Sequence, residues 1–243
     1  IEKILRRKYI VEEIIDTEEI FVKNMQLLHD YWWPKFEESE IFDRFQLNLI
    51  FKDIDPILNT HKDLFKMENK QKKNYATEIG PLFLNFIERF KVAIPFFTNF
   101  KRVDDMVQKK RLSSKHVEKK FEEINENNPD KEGGDFFSYY ITPIQRYPRY
   151  TLLIRDLDKH TPAFHPDKPY LELAQETLIV ANKEIDETSQ RVKQLLYLGE
   201  IQKTLPDDFS VLKNDRTLID RKKILIHKKL NAKKGIIYLF NDT

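Results

Sequence analysis

Thr142-Pro143-Ile144-Gln145-Arg146-Tyr147-Pro148-Arg149-Tyr150, continued by Thr151-Leu152-Leu153, is the stretch on which the reading of this chain turns. Around it, Phe137, Tyr140, Ile141, Ile144 and Leu152 recur at helical spacing, so Asp135 to His160 reads as helix. Pro143 and Pro148 predict a distorted backbone there, because proline has no N–H to donate and its ring crowds the carbonyl four residues back. Two arginines and two tyrosines crowd the same bend. With Ile141, Ile144 and Leu152 as the apolar seam, Gln145 and Arg149 fall on another face, and arginine's planar fork suits carboxylate recognition at an interface. The plainer alternative is that the arginines brace neighbouring helices, a role that suits Arg146.

Toward the N-terminus, Val11, Ile14, Phe21, Met25, Leu28 and Trp32 make an amphipathic helix of Glu2 to Glu38, expected to stop near Pro34. Its acids, Glu12, Glu13, Asp16, Glu18 and Glu19, divide between faces. Glu18 sits on the apolar seam, where an unpaired carboxylate would cost several kcal/mol, so it needs a partner such as an arginine from a neighbouring helix. Glu13 lies off the seam, near Thr17 and Ile20, open either to a partner or simply to water.

Between these two segments, Ile41 to Phe65 reads as helical, with Asp55-Pro56 as cap and first-turn pair. Asn69 to Asn74 reads as loop. Pro81 and Pro95 punctuate two aromatic-rich helices across Tyr75 to Lys110, a short helix follows from Ser114 to Glu126, and Asn125 to Gly134 is a polar loop. Beyond the central stretch, Leu171, Ala174, Leu178, Ala181, Ile185, Thr188, Val192 and Leu195 predict one helix of roughly 50 Å, long enough to connect two domains. Pro206-Asp207-Asp208 should end it. Lys223 to Lys229 and Gly235 to Phe240 then read as β-strands of a hairpin. Two strands make no stable sheet, so this part is expected to open a second domain completed beyond Thr243. Likewise, a first residue of Ile rather than Met suggests a piece of something longer.

Composition narrows the function. The 243 residues are 40% hydrophobic and 34% charged, and 42 Lys+Arg against 40 Asp+Glu leave a net charge of only +2, so any attraction to polyanions must be local. Without cysteine there is no disulfide framework and no thiolate metal site. The five glycines form neither phosphate-cradling spacing, and no histidine belongs to an HExxH or a Glu-x-x-His pair. No metal site and no cofactor are expected. The basic run from Lys109 to Lys120 is diluted by Glu118, Glu122 and Glu123 and has no stacking platform, so nucleic acid is not expected as a partner.

Glu13-Ile14-Ile15-Asp16-Thr17-Glu18, continued by Phe21-Val22, resembles the first conserved region of the Dbl-homology family of guanine-nucleotide exchange factors for Rho-family GTPases. Ser138-Tyr139-Tyr140-Ile141-Thr142 through Leu153, with Pro143-Ile144-Gln145-Arg146 at its centre, is similar to the third region, and Ile50-Phe51-Lys52-Asp53-Ile54 through His61 to the second. The resemblance runs from Lys3 to Lys203 in the family's order. Arg221 to Asp242 looks like the first two strands of a pleckstrin-homology (PH) domain. The resemblance implies an all-α elongated bundle over residues 1–204, then a linker and the start of a PH domain over 205–243. It implies a non-covalent exchange catalyst that binds a Rho-family small GTPase and releases its GDP, acting in the cytoplasm, on the actin cytoskeleton and at the inner face of the plasma membrane. By that resemblance Glu13 meets switch I, Arg149 faces switch II, and Thr17, Gln145 and Asp186 complete the GTPase-binding set. Asp186 departs from the family, which often has asparagine there; an ionised aspartate only accepts where asparagine also donates. Lys223, Lys228 and Lys229 are candidates for phosphoinositide contact through the PH domain, although lysines also protect hairpin edges from pairing. A helical scaffold that binds a partner and catalyses nothing is the rival reading.

Overall fold

Bulky side chains at three-and-four spacing, rarely interrupted by glycine, dictate helix for nearly all of the first part of the chain. The computed structural model describes residues 2–68, 73–131, 133–202, 218–228 and 231–240, and the chain divides into two units, Ile1–Glu187 and Thr188–Thr243. In the first unit α1 (Glu2–Leu27) buries Val11, Ile14, Phe21 and Met25 at 3% exposure or less, and lies against α4 (Ile54–Glu68) and α9 (Thr142–Lys159).

Pro34 does not end the first helix. Leu28–Trp32 widens into a π-helical turn, closed by the Trp33 N–H on the Leu28 carbonyl, and α2 (Trp33–Glu38) continues with Pro34 in its first turn. Widening moves the hydrogen-bond register where proline supplies no donor, so the axis continues without a clash. Leu28 and Trp32 both stay in the core. The helical region expected across Ile41 to Phe65, with a restart at Asp55-Pro56, is two helices: α3 (Arg44–Phe51), opened by a reciprocal Asp43 and Gln46 capping box, and α4, which starts one residue early at Ile54 and so takes Asp55 inside its first turn rather than as its cap. Then come α5 (Gly80–Phe86), a 3-10 segment at Ile87–Ala93, α6 (Ile94–Arg111) and α7 (Lys115–Glu126), the last capped by the Ser114 hydroxyl.

The central stretch is also two helices, α8 (Phe136–Tyr140) and α9. Pro143 opens α9 rather than bending it, and only Pro148 lies within. The seam differs from the expected one as well. Leu152 is 54% exposed, whereas Pro143, Arg146, Tyr147, Tyr150, Leu153, Ile154 and Leu157 face inward. The tyrosines form an equally regular ladder, and their rings remove more apolar area from water than Ile144 and Leu152 would. In α10 (Lys168–Gln202), Leu171, Ala174, Leu178, Ala181 and Ile185 are at most 3% exposed, but Leu195 is 42% exposed, and the buried positions further along are Ser189, Leu198 and Ile201.

A second inward charge ties distant loops together. The fully buried Arg7 guanidinium donates to the Tyr75 and Thr77 carbonyls, to Thr161 Oγ1 and to Asp167 at 2.8 Å. Asp167 in turn accepts from the Ile79 and Gly80 N–H groups, capping α5 from across the bundle. Gly80 has no room for a side chain, since a Cβ there would lie 2.6 Å from Tyr170 Cβ.

In the second unit β1 (Leu218–Lys228) and β2 (Asn231–Phe240) pair antiparallel from Leu218↔Phe240 to Lys228↔Asn231, with a register irregularity between Leu218 and Asp220. The hairpin forms as expected, but Asn231 to Lys234 belong to strand rather than turn. Composition is a weak guide once ladder bonds are available. Lys229 and the Pro206-Asp207-Asp208 break lie outside the described residues, as do 69–72 of the expected loop and the side chains of Lys223 and Lys228.

Candidate functional site

Glu13, Thr17, Ile20 and Asn24 follow one another at helical intervals on the outer face of α1, and Thr142, Gln145 and Arg149 do the same on α9. The two rows meet. Arg149 Nη2 lies 2.9 Å from Glu13 Oε1, with the two side chains 50% and 45% exposed. Beside this pair is a groove of about 170 Å³ lined by Thr17, Ile20, Asn24, Thr142, Gln145 and Arg149, with Phe21 and Arg146 also contributing. Four of the five residues that the sequence marks for GTPase contact thus come together.

Below the groove lies a buried polar hub. Arg146, 4% exposed, donates to Glu18 Oε2 from Nε at 3.0 Å and Nη2 at 2.6 Å, and to Thr17 Oγ1 at 2.8 Å, while its guanidinium covers the Tyr150 ring. Glu18 also accepts from the Tyr150 hydroxyl at 2.5 Å and pairs with His61 Nδ1 at 2.7 Å. The arginine partner that the position of Glu18 demands is therefore present. Burial pushes the Glu18 carboxyl up, but His61, Arg146 and the Tyr150 hydroxyl together hold it down at about 2. Its stabilising effect is complete above the ordinary glutamate value of 4.5 and is lost as pH falls toward 2. The Thr17 hydroxyl, held by Arg146, donates to the Glu13 carbonyl, so hub and outer face share a residue.

Glu68, at the end of α4, has the opposite problem. It is fully buried, and neither carboxylate oxygen has a hydrogen-bond partner among the described residues. Burial and the negative charge of Glu18 push its carboxyl well above the glutamate range, with Arg146 pulling partly back. A folded-state value above the unfolded one means the native state holds the extra proton, so stability declines as pH rises above the unfolded value. Glu68→Gln, which keeps the shape without the charge, is expected to raise the unfolding temperature at pH 8 and to lose that advantage toward pH 5. Unfolding curves at the two pH values check this, and an equal shift at both would refute it.

Asp186 is exposed, lies outside the groove lining, and its side chain makes no hydrogen bond or ion pair among the described residues. One turn earlier, Asn182 donates to the Tyr147 carbonyl and Thr151 Oγ1, so this side of α10 is the one that meets α9. The sequence reading left Ile20, Asn24 and Thr142 out of the site. Ile20, 56% exposed, carried a signal: it is an apolar residue three positions after Thr17, off the buried seam. Asn24 and Thr142 carried none, because being brought beside the opposite helix is what makes them part of the groove.

Residues 10–186 match the model of the RhoGEF domain family. This chain belongs to that family. A RhoGEF relative, Rac guanine nucleotide exchange factor JJ of Dictyostelium discoideum, is 25% identical over 234 residues, covering 95% of this chain and 20% of that protein. Rho guanine nucleotide exchange factor 17 of Homo sapiens is 27% identical over 71% of this chain and 9% of its own length. The chain spans about a fifth or less of the length of these two curated relatives. Among solved structures, the DH/PH domains of p115-RhoGEF share the fold with a TM-score of 0.82 at 17% identity, over 99% of this chain and 70% of that one. The PDZ-RhoGEF DH/PH domains, in complex with GTP-γ-S activated RhoA, match with a TM-score of 0.79 at 17% identity, over 99% and 73%. For the helical bundle, these matches agree with the all-α expectation.

Proposed function

We propose that the face formed by α1 and α9 binds a Rho-family small GTPase and promotes GDP release by stabilising its nucleotide-free state. The observation that carries this reading is the exposed Glu13–Arg149 pair beside an open groove, in a chain of the RhoGEF family. Two opposite charges on a shared outer face can each engage a different element of a partner, and an exposed pair contributes little to stability, so its opening costs the fold at most about 1 kcal/mol. Glu13 draws switch I from the nucleotide, while Gln145, Arg149 and Asp186 hold switch II where magnesium and phosphate no longer fit; Thr17 contributes at the groove. No covalent step and no cofactor are involved. Catalysis is differential binding: each 1.4 kcal/mol by which the surface prefers the emptied GTPase weakens its nucleotide affinity about tenfold.

The same reading assigns residues 1–204 to the exchange domain and 205–243 to a linker and the opening strands of a PH domain, with Lys223, Lys228 and Lys229 available to phosphoinositide. It locates the protein in the cytoplasm, recruited to the inner face of the plasma membrane. Release of a fluorescent GDP analogue, followed across a panel of Rho-family GTPases with excess GTP, tests the central claim. At least one member is expected to release nucleotide more than about tenfold faster in the presence of the chain. Stable association without acceleration would favour the scaffold reading, and neither association nor acceleration would remove the proposal.

A further inference from the structure

The turn between α6 and α7 concentrates the basic run that the exchange reading leaves unused. From Lys109 to Lys120 the chain has six basic residues, Lys109, Lys110, Arg111, Lys115, Lys119 and Lys120, against the single acid Glu118. Leu112 follows the last residue of α6, its N–H still bonded to the Gln108 carbonyl, and α7 begins after the Ser114 cap. A helical hairpin tip is thereby built with an apolar side chain on it: Leu112 is 75% exposed. Lys109 and Lys115 are exposed and Lys110 is half-exposed, and none of the three side chains makes a hydrogen bond or an ion pair among the described residues. Arg111 lies 3.9 Å from Asp135, and Lys119 pairs with Glu123 along α7.

The one acid within the run, Glu118, sits in the first turn of α7 and is half-buried. Glu122 and Glu123 stand about two turns up α7, roughly 10 Å from Lys115 along the axis. Asp105, which lines a mainly apolar depression with Met106, Lys109, Lys110 and Leu112, is taken up by Lys101 at 2.7 Å. Free cations around a protruding leucine suit an anionic bilayer surface. The head groups meet the lysines while the leucine enters the boundary between head group and acyl chain, and the lysine stems lie along apolar surface. A protein partner would need a matching pocket for Leu112; a bilayer needs none. The net charge of +2 gives no overall attraction, so contact with lipid depends on a local cluster of this kind.

We propose that the α6–α7 turn, through Lys109, Lys110, Lys115 and Leu112, is a docking surface for anionic lipid membrane, separate from the α1–α9 groove. Co-sedimentation of the full chain with phosphatidylcholine–phosphatidylserine vesicles, against pure phosphatidylcholine vesicles, is the test. Binding is expected only to the anionic vesicles. Lys109→Ala with Lys110→Ala should weaken partitioning about thirtyfold, and Leu112→Ser should weaken it while leaving its salt dependence intact. Circular dichroism should be unchanged for both, since these side chains are not in the core. Lys62→Ala with Lys66→Ala, exposed on α4, should leave most of the binding in place. Failure of the parent chain to bind anionic vesicles, binding undiminished in the Lys109 and Lys110 variant but lost when the hairpin lysines Lys223 and Lys228 are replaced, or capture by a single-stranded RNA in preference to vesicles would each overturn the proposal.

Discussion

Exchanging the two charges of the outer pair, Glu13→Arg together with Arg149→Glu, is expected to leave the bundle as stable as before and to abolish stimulated GDP release. The pair is exposed on both sides and joined at 2.9 Å, so a reversed pair can re-form, and the change in unfolding free energy should stay within about 1 kcal/mol. Toward a bound GTPase, however, each side chain now presents the wrong sign. Removing one partner of a desolvated interfacial charge pair costs about 2–5 kcal/mol, and reversing two contacts should reduce exchange on the order of a thousandfold. Glu13→Ala alone should remove most of it. The decisive comparison is between single and double variants in the nucleotide-release assay. Recovery of exchange in the double variant would mean that the pair acts only within this chain, and the assignment of both residues to the partner would fall.

Loss of the buried hub should be felt in the fold first. Arg146→Leu leaves the Glu18 carboxylate buried without its cation, and destabilisation of about 3–5 kcal/mol is expected from denaturant unfolding. Pairing it with Glu18→Leu removes the orphaned charge, so the double variant should be less destabilised than Arg146→Leu, with a coupling energy of about 1–3 kcal/mol in the double-mutant cycle. Additive losses would show that Glu18 is held mainly by His61 and the Tyr150 hydroxyl. Because Arg146 also fixes the Thr17 hydroxyl that bonds to the Glu13 carbonyl, exchange should fall in proportion in the folded fraction as well.

The hub and the outer pair differ in how legible they were. Glu18 announced itself, because a carboxylate on an apolar stripe has to find a cation, and the arginine with a bracing role was Arg146. His61, Tyr147 and Tyr150 did not announce themselves as its companions: each looks like an ordinary core aromatic until three helices converge. Glu68 was equally silent, one acid near a helix end among many. Nor could spacing alone choose the face of α9, where Ile144 and Leu152 on one side and the tyrosines on the other give equally regular ladders.

What the sequence determined by itself was therefore the local and periodic part: the helical character of the bundle, the acid-bearing face of α1, the arginine-bearing face of α9, the demand for a cation at Glu18 and the presence of a hairpin. These follow from side-chain periodicity and charge within a few turns, which act whatever the rest of the chain does. Tertiary structure decided where neighbouring packing overrides a local rule. It carried the first helix past Pro34 through a π turn, split the central segment ahead of Pro143, turned Leu152 outward, joined Glu13 to Arg149 and left the Glu68 carboxylate without a hydrogen-bond partner among the described residues. Each of those outcomes depends on which distant surface arrives opposite, since burial and pairing are properties of two segments in contact and neither segment encodes its partner alone.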